Sequence, residues 1–428
     1  GSGGGGIYEL KFSDQGGNNS ILMTAHNGKL AIDNTGMSGY QNIDDHTRIY
    51  IRAEFSPAPE YQASSDESNI SLSFGNSHNV SIRYGISFIN EEQAQRNMEL
   101  EVSGKDCSGL SAEGRDEWNR ELSKIEVYGG TEEEKSVFYT SLYRTFERMI
   151  NINEYGKYYS PYDRAVHDTE RNIYTDDWIW DTYRAAHPLR AIIDRKSEED
   201  MINSFIRMTM ESEEKWMPTF PEITGDSHRM NGNHAVAVIL DGYRKGLRGF
   251  DVDSAYMFCR NALLHKSLLP WTRQPLTDLD MFYHDSLYFP ALNPGESETC
   301  PFVDPSERRQ AVAVTLGHSY DSWCLSELAS ETGHKEDIDL FRRYASAYKN
   351  LFNNGTGFFH PKNSDGKFIE PFDYRFSGGM GARDYYDENN GWTYRWNCQH
   401  DIPGLINLMG GEEKFAEDLD ATFREPLG

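Results

Sequence analysis

The chain has no run of 18 apolar residues, so no segment is expected to cross a membrane as a helix. Cysteine is scarce: Cys107, Cys259, Cys300, Cys324 and Cys398 lie scattered without CxxC or CxxH spacing, which excludes a zinc cluster or a dithiol redox motif and predicts buried thiols. Basic residues are in deficit, 42 against 68 acidic, for a net charge of -26. Nucleic acids and anionic membranes are bound by clustered Lys and Arg, so neither is an expected partner. Neutral ligands, cations and divalent metal ions remain compatible with such a surface. A signal-peptide pattern is also missing, and GSGGGG at residues 1–6 reads as a flexible linker or an appended remnant as readily as native sequence. The N-x-S/T sequons at Asn18, Asn69, Asn79 and Asn354 are what chance gives in so polar a chain.

At 428 residues the chain exceeds the size at which a single core stops growing, so two domains are expected. From residue 7 to about 110 apolar residues alternate, as in Tyr8-Leu10-Phe12, Ile49-Ile51-Ala53-Phe55, Val80-Ile82-Tyr84-Ile86-Phe88 and Met98-Leu100-Val102. A period of two with polar turns and no helical crossover predicts an antiparallel β-sandwich of about six strands, incomplete on its N-terminal side. Around residue 115 the period becomes helical. Thr131 and Glu134 form a capping box, and Val137, Phe138, Leu142, Phe146 and Ile150 make one apolar stripe. Further helices are predicted near 181–195, 197–214, 233–248, 251–264, 308–332, 335–353 and 412–424. Loops rich in Trp, Tyr, Asp, Gly and Pro join them at 151–180, 215–232, 265–307 and 354–400, and loops longer than about 15 residues are usually functional. The expected layout is a partial β-sandwich over 1–112, a linker helix over 113–130, and an incomplete helical toroid over 131–428.

Aromatic residues make up 13% of the chain, and seven of the eight tryptophans follow residue 170, which points to a ligand-handling surface in the later part. YDENNGWTYRWNCQHD, residues 386–401, sets Glu388 among Trp392, Tyr394 and Trp396, just ahead of His400-Asp401. Aromatic faces stack on the apolar C–H patches of a pyranose, and a carboxyl beside them can protonate a glycosidic oxygen. The same segment also reads as a loop pinned to the core by its tryptophans. In RNIYTDDWIWDTYRAAHPL, residues 171–189, Asp181 falls in the first turn of a helix starting near Trp180, where the helix dipole favours a carboxylate able to accept sugar hydroxyls. A plain cap, with Trp180 in the core, is the other reading. KWMPTFPEITGDSHRMNGNHAVAVILDGYRKG places Trp216, Glu222, Asp226 and His228 in one loop and Asn233 and His234 at a helix start. His234 there either donates to a substrate hydroxyl or satisfies a buried carbonyl. GKFIEPFDYRF adds Glu370 and Asp373. The substrate-binding set is therefore Trp180, Asp181, His234 and Trp392, with Asn233 and Asp373 standing behind it to orient it.

Five stretches in order, WDTYRAAHPL, WMPTFP with GNHAVAVILDGYRKG, SYDSWCLSELA, IEPFD and ENNGWTYRWNCQHDIPGLINLMGG, resemble the calcium-dependent, exo-acting α-mannosidases of glycoside hydrolase family 92, from about residue 110 onward. The resemblance implies a β-sandwich followed by an (α/α)6 barrel, and release of terminal mannose from glycans with inversion. It implies that Glu388 is the general acid and that Trp180 and Asp181 recognise the terminal mannose. It further implies a calcium ion on the mannose 2- and 3-hydroxyls, with no ligand identified in this sequence, and a periplasmic or extracellular location.

Departures from the family pattern are local. Asn389 and Gly391 replace the Gly and Ala that usually follow the acid, and Gly317 and Ser322 stand where many members have acids. The family's base lies in an N-x-D-x-G-Q motif followed by S-A-W, and nothing here matches it. The base is thus expected outside these residues, the chain is expected to be truncated at both ends, and the stretch alone is expected to be inactive. Two other readings stay open: a metal-free glucosidase or phosphorylase on a similar helical ring, and a carbohydrate-binding protein without catalysis.

Overall fold

Alternating apolar residues in the first part of the chain become strands β1 (Gly5–Lys11), β2 (Ser20–Thr24), β3 (Gly28–Asp33), β4 (Gly36–Asn42), β5 (Arg48–Ser56), β6 (Tyr61–Asp66), β7 (Asn69–Ser73) and β8 (Asn79–Ser87) in a computed structural model that describes residues 3–13, 17–34, 36–376 and 383–426. The chain divides into two units, one reaching Asp176 and including Ile223–Gly225, the other holding the remainder. In the first unit β1-β8-β5-β4-β3 form one antiparallel sheet and β2-β7-β6 a second, so there are eight strands where alternation predicts about six. Met37, Ala53 and Ile82 from one sheet and Ile70 and Leu72 from the other share a core with Phe74 and Val80.

Two expectations change here. Residues 1 and 2 lie outside the described set, but Gly5 and Gly6 open β1 and are no linker: they are buried and pair with Gly85 and Tyr84. The Gly4 and Gly5 amides each donate to the Glu101 carboxylate at 2.8 Å, and a Cβ on Gly6 would meet the Tyr84 ring. Met98, Leu100 and Val102 do not form a strand either; they belong to helix α1 (Glu91–Val102), capped by Asn90, whose Oδ1 accepts from the Gln93 amide at 2.8 Å. Ala94, Met98 and Val102, four apart, are its buried face, and Leu100 is exposed. Gly85 lets α1 lie on the sheet, since a Cβ there would come within 2.1 Å of the Ala94 carbonyl oxygen.

Helices α2 (Cys107–Leu122) and α3 (Glu132–Arg144) follow, α3 with the expected Thr131/Glu134 capping box. Both fall inside the first unit, as do residues 112 and 130. The stretch 151–180 is not structureless: β9 (Lys157–Ser160) and β10 (Ala165–Asp168) pair as a hairpin.

The second unit is helical: α4 (Ile179–Thr182), α5 (Ala186–Ile193), α6 (Arg195–Glu211), α7 (Ala235–Arg244), α8 (Val252–His265), α9 (Asp278–Ser286), α10 (Ala311–Thr332), α11 (Ile338–Ala345), α12 (Gly391–Tyr394), α13 (Ile402–Met409) and α14 (Glu412–Thr422). α9 and α13 arise in stretches without a predicted helix, nucleated by a Thr277/Asp280 capping box and by Asp401, whose carboxylate accepts from the Gly404 amide at 2.9 Å. α10 is the axis of the unit, buried along most of its length and packed by α7, α8 and α11. Its first amides are closed by another segment: Gln310 donates to the Arg383 carbonyl (2.8 Å), Ala311 to Asp384 (3.4 Å), and Val312 and Ala313 to Tyr385 (2.8 and 3.2 Å). The backbone just ahead of Glu388 thereby satisfies groups that a helix start leaves unpaired. Cys259, Cys324 and Cys398 are buried free thiols, whereas Cys107 and Cys300 are partly exposed. Among the described residues no helix is long and apolar enough to cross a membrane.

Candidate active site

The second unit contains a cavity of about 600 Å³. Its aromatic wall comes from Trp180, Tyr183, Tyr320, Tyr394 and Trp396, and its polar groups include Arg184, Asp241, Asp387, Asn389 and Gln399. Tyr183 and Tyr320 remain phenols, because burial pushes both well above the ordinary tyrosine range. Aromatic faces and polar groups thus line the cavity in similar measure, a make-up suited to a ligand that presents both C–H faces and hydroxyls.

The wall at Trp180 rests on a buried charge cluster. His187 Nε2 stands 2.9 Å from Asp177 Oδ2 and Nδ1 2.9 Å from Glu198 Oε1, all three being nearly inaccessible. Thr182 donates from its hydroxyl to Asp177 Oδ1 at 2.8 Å, which ties the short helix α4 to the cluster. Burial alone would deprotonate His187, but the two carboxylates outweigh it and hold the imidazole up at about 10.

At the other wall the chain turns through Glu388, whose φ of 52° is left-handed. Glu388 is 47% exposed with Oε1 3.6 Å from Arg383 Nη2. The residues that line the cavity are its neighbours, Asp387 and Asn389. Asp387 is buried and receives Asn231 Nδ2 at 2.9 Å and Arg383 Nη1 at 3.4 Å. Burial, with a smaller push from Glu388, raises its carboxyl to about 6 against the pull of Arg383 and Asn231.

Of the residues expected from sequence, Trp180 lines the cavity. Asp181 is exposed on the four-residue α4 and is not part of the lining. His234 is 4% exposed; its ring stacks behind Tyr183 with centroids 4.2 Å apart, and Nδ1 meets Asp321 Oδ1 at 2.7 Å rather than a backbone carbonyl. Asn233 lies beside it, its amide donating to Asp321 Oδ2 at 2.6 Å, while its buried Oδ1 has no hydrogen-bond partner among the described residues. Trp392 does not line the cavity: Asn390 Oδ1 accepts from the Trp392 amide at 3.1 Å, starting α12, and the indole packs edge-on to Phe358 at 5.1 Å. Trp396, one turn on, takes the place on the wall. Asp373 is exposed and accepts the Arg375 amide at 2.9 Å, closing its own turn instead of orienting another residue at the cavity. Asp387, Asn231, Arg383, Tyr183 and Tyr320 were not singled out by sequence; the one signal for Asp387 was an acid directly before Glu388.

A curated relative from Arthroderma benhamiae, an uncharacterized secreted glycosidase, is 24% identical over 369 residues, covering 80% of this chain and 41% of the relative. A solved inverting mannosidase of family GH92 from Bacteroides thetaiotaomicron is similar with a TM-score of 0.84 at 28% identity, covering 97% of this chain and 57% of that one. A second α-mannosidase from that organism, solved with mannoimidazole, shares the fold with a TM-score of 0.80 at 23% identity, over 98% of this chain and 57% of its own. The chain therefore spans about half the length of the proteins it matches. Residues 93–428 match the glycosyl hydrolase family 92 catalytic domain, and the chain belongs to that family.

Proposed function

We propose that this chain is part of an α-mannosidase that releases terminal α-linked mannose from glycans with inversion, Glu388 acting as the general acid. The observation that carries this reading is an aromatic-walled cavity lined by Asp387 and Asn389, the two residues that flank Glu388, in a member of family 92. Trp180 and Trp396 offer aromatic surface for a pyranose ring, and Arg184, Asn389 and Gln399 offer polar groups for its hydroxyls. Inversion uses two carboxyls about 6.5–9.5 Å apart, one to protonate the leaving oxygen and one to activate water. The second carboxyl is proposed to lie outside these 428 residues, and the helical unit to be an (α/α)6 barrel.

Calcium dependence is part of the proposal through family membership. The carboxylates at the cavity do not form a calcium cage by themselves: Asp241 is held by Lys245 at 2.6 Å, and Asp387 by Asn231 and Arg383. Among the described residues no three acid, imidazole or thiol groups of this unit bring their ligand atoms close enough together to share one ion, so none is assigned as a ligand. Action outside the cytoplasm is likewise proposed, in keeping with the secreted fungal relative.

A Glu388→Gln variant of the full-length protein tests the acid role. Turnover of unactivated mannosides is expected to fall by about 10²–10⁴-fold, whereas a mannoside with a strongly acidic leaving group keeps far more of its rate. Equal loss on both substrates would remove Glu388 from the role.

A further inference from the structure

The segment that carries Glu388 also lines a second cavity, of about 520 Å³. Asp384 and Tyr385 belong to that lining, whereas Asp387 and Asn389 belong to the first cavity. The rest of the second lining comes from residues 292–309, in the loop between α9 and α10. This loop is held in shape from several sides. Arg309, its side chain only 8% exposed, grips Glu298 through Nε at 2.7 Å and Nη2 at 2.6 Å and donates from Nη1 to the Pro290 carbonyl at 3.0 Å. The Tyr385 hydroxyl donates to the Leu292 carbonyl at 3.2 Å, and the Asn293 amide and side chain both donate to Glu296 Oε2 at 2.9 Å.

We propose that this second cavity receives the sugar residue to which the terminal mannose is attached, the bond to be cleaved lying at residues 385–388, between the two cavities. The inference rests on the mannosidase reading and deepens it by saying where the remainder of the substrate goes. A glycosidase holds sugar on both sides of the scissile bond, with its carboxyls flanking that bond. Tyr385 of one lining and Asp387 of the other are two residues apart, hence at most about 7 Å from Cα to Cα, a gap that one pyranose can bridge. Arg383 ties the carboxyl of Glu388 to the same boundary. Its Nη1 forms a close ion pair with Glu307, which falls in sequence between the lining residues Pro305 and Arg308, and its Nη2 stands 3.6 Å from Glu388 Oε1. Glu388 is therefore flanked in sequence by residues of the first cavity and linked through one guanidinium to the loop of the second.

Charge in the second cavity selects its occupant. Among the described lining residues four carboxylates, Glu296, Glu298, Asp304 and Asp384, outnumber two guanidiniums, Arg308 and Arg309. Glu298 is paired with Arg309 and Asp384 with Arg308, so the excess negative charge sits on Glu296 and Asp304. Hydrogen bonds from the Asn293 amide and side chain hold the Glu296 carboxyl below its ordinary value, which keeps it an acceptor. A sulfated or phosphorylated sugar is repelled by such a lining. A neutral sugar instead offers hydroxyl donors to the carboxylates and C–H faces to Pro305 and Tyr385.

The test compares kcat/KM of the full-length protein on two substrates: the mannobiose it cleaves best, and methyl α-mannoside, whose leaving group is too small to fill the second cavity. Asn293 and Glu296 are both exposed, so substitutions there leave the core intact. Glu296→Ala removes a charged acceptor and is expected to lower the ratio of mannobiose to methyl mannoside by about 10-fold. Asn293→Ala, which frees the Glu296 carboxylate from its hold, and Asn293→Trp, which narrows the cavity, are expected to lower the ratio as well. A ratio unmoved in all three variants, whether both substrates lose rate equally or neither does, overturns the proposal. The two readings fail differently: a parent protein that turns over neither substrate sinks the mannosidase reading and this inference with it, whereas parent turnover with an unmoved ratio sinks this inference alone.

Discussion

Both ring nitrogens of His187 are taken by carboxylates, so the imidazole is charged in the fold at pH values where a free histidine is neutral. Its folded value of about 10 lies above the ordinary value near 6.5, so the stabilisation is complete below the ordinary value and is lost as pH rises toward 10. Denaturant melts are expected to show His187→Gln costing about 3–5 kcal/mol at pH 6, with the gap to the parent protein narrowing by pH 10. A gap that does not change with pH would mean the ring is held neutral. Residues of this kind are hard to read from sequence, because what makes His187 or Asp387 special is burial beside partners far along the chain. Trp180 was legible, being an aromatic beside acids at a helix start. Trp392 and Trp396 were not separable: the sequence shows two tryptophans four apart, and only the Asn390 cap and the packing on Phe358 decide which one faces the cavity.

Among the elements, α1 shows how a pattern can mislead. Met98 and Val102 sit at positions shared by a period of two and a spacing of four, and Leu100 completes a false alternation. The discriminating signals were Asn90 followed by two glutamates and the apolar Ala94 one turn earlier. Gly85 is the hinge of this packing, since its missing side chain is replaced by backbone of α1 that cannot step aside. Gly85→Ala is expected to cost about 1–3 kcal/mol and to loosen α1 from the sheet, seen as a lower melting temperature and earlier proteolytic nicking near residues 88–104. An unchanged melt would place the helix farther from β8. The long helices were mostly legible from their apolar stripes and caps, whereas α9 and α13 are only nine and eight residues long, too short for a clear stripe, and a local cap marks the start of each.

For the molecule as a whole, the sequence order of antiparallel strands followed by helices matches the solved family members. A net charge of -26 raises the local concentration of divalent cations. Chelation of the full-length protein is accordingly expected to abolish mannoside turnover, and added calcium to restore it; full activity after chelation would favour a metal-independent chemistry on the same scaffold. The docking of residues 383–385 onto the head of α10 has a further use. Because the amides of Gln310, Ala311, Val312 and Ala313 are closed by those carbonyls, they can take up deuterium only when the segment carrying Asp387 and Glu388 lifts away. Their exchange rate is therefore a built-in clock for how often the acid pair leaves its place, readable before any substrate is added.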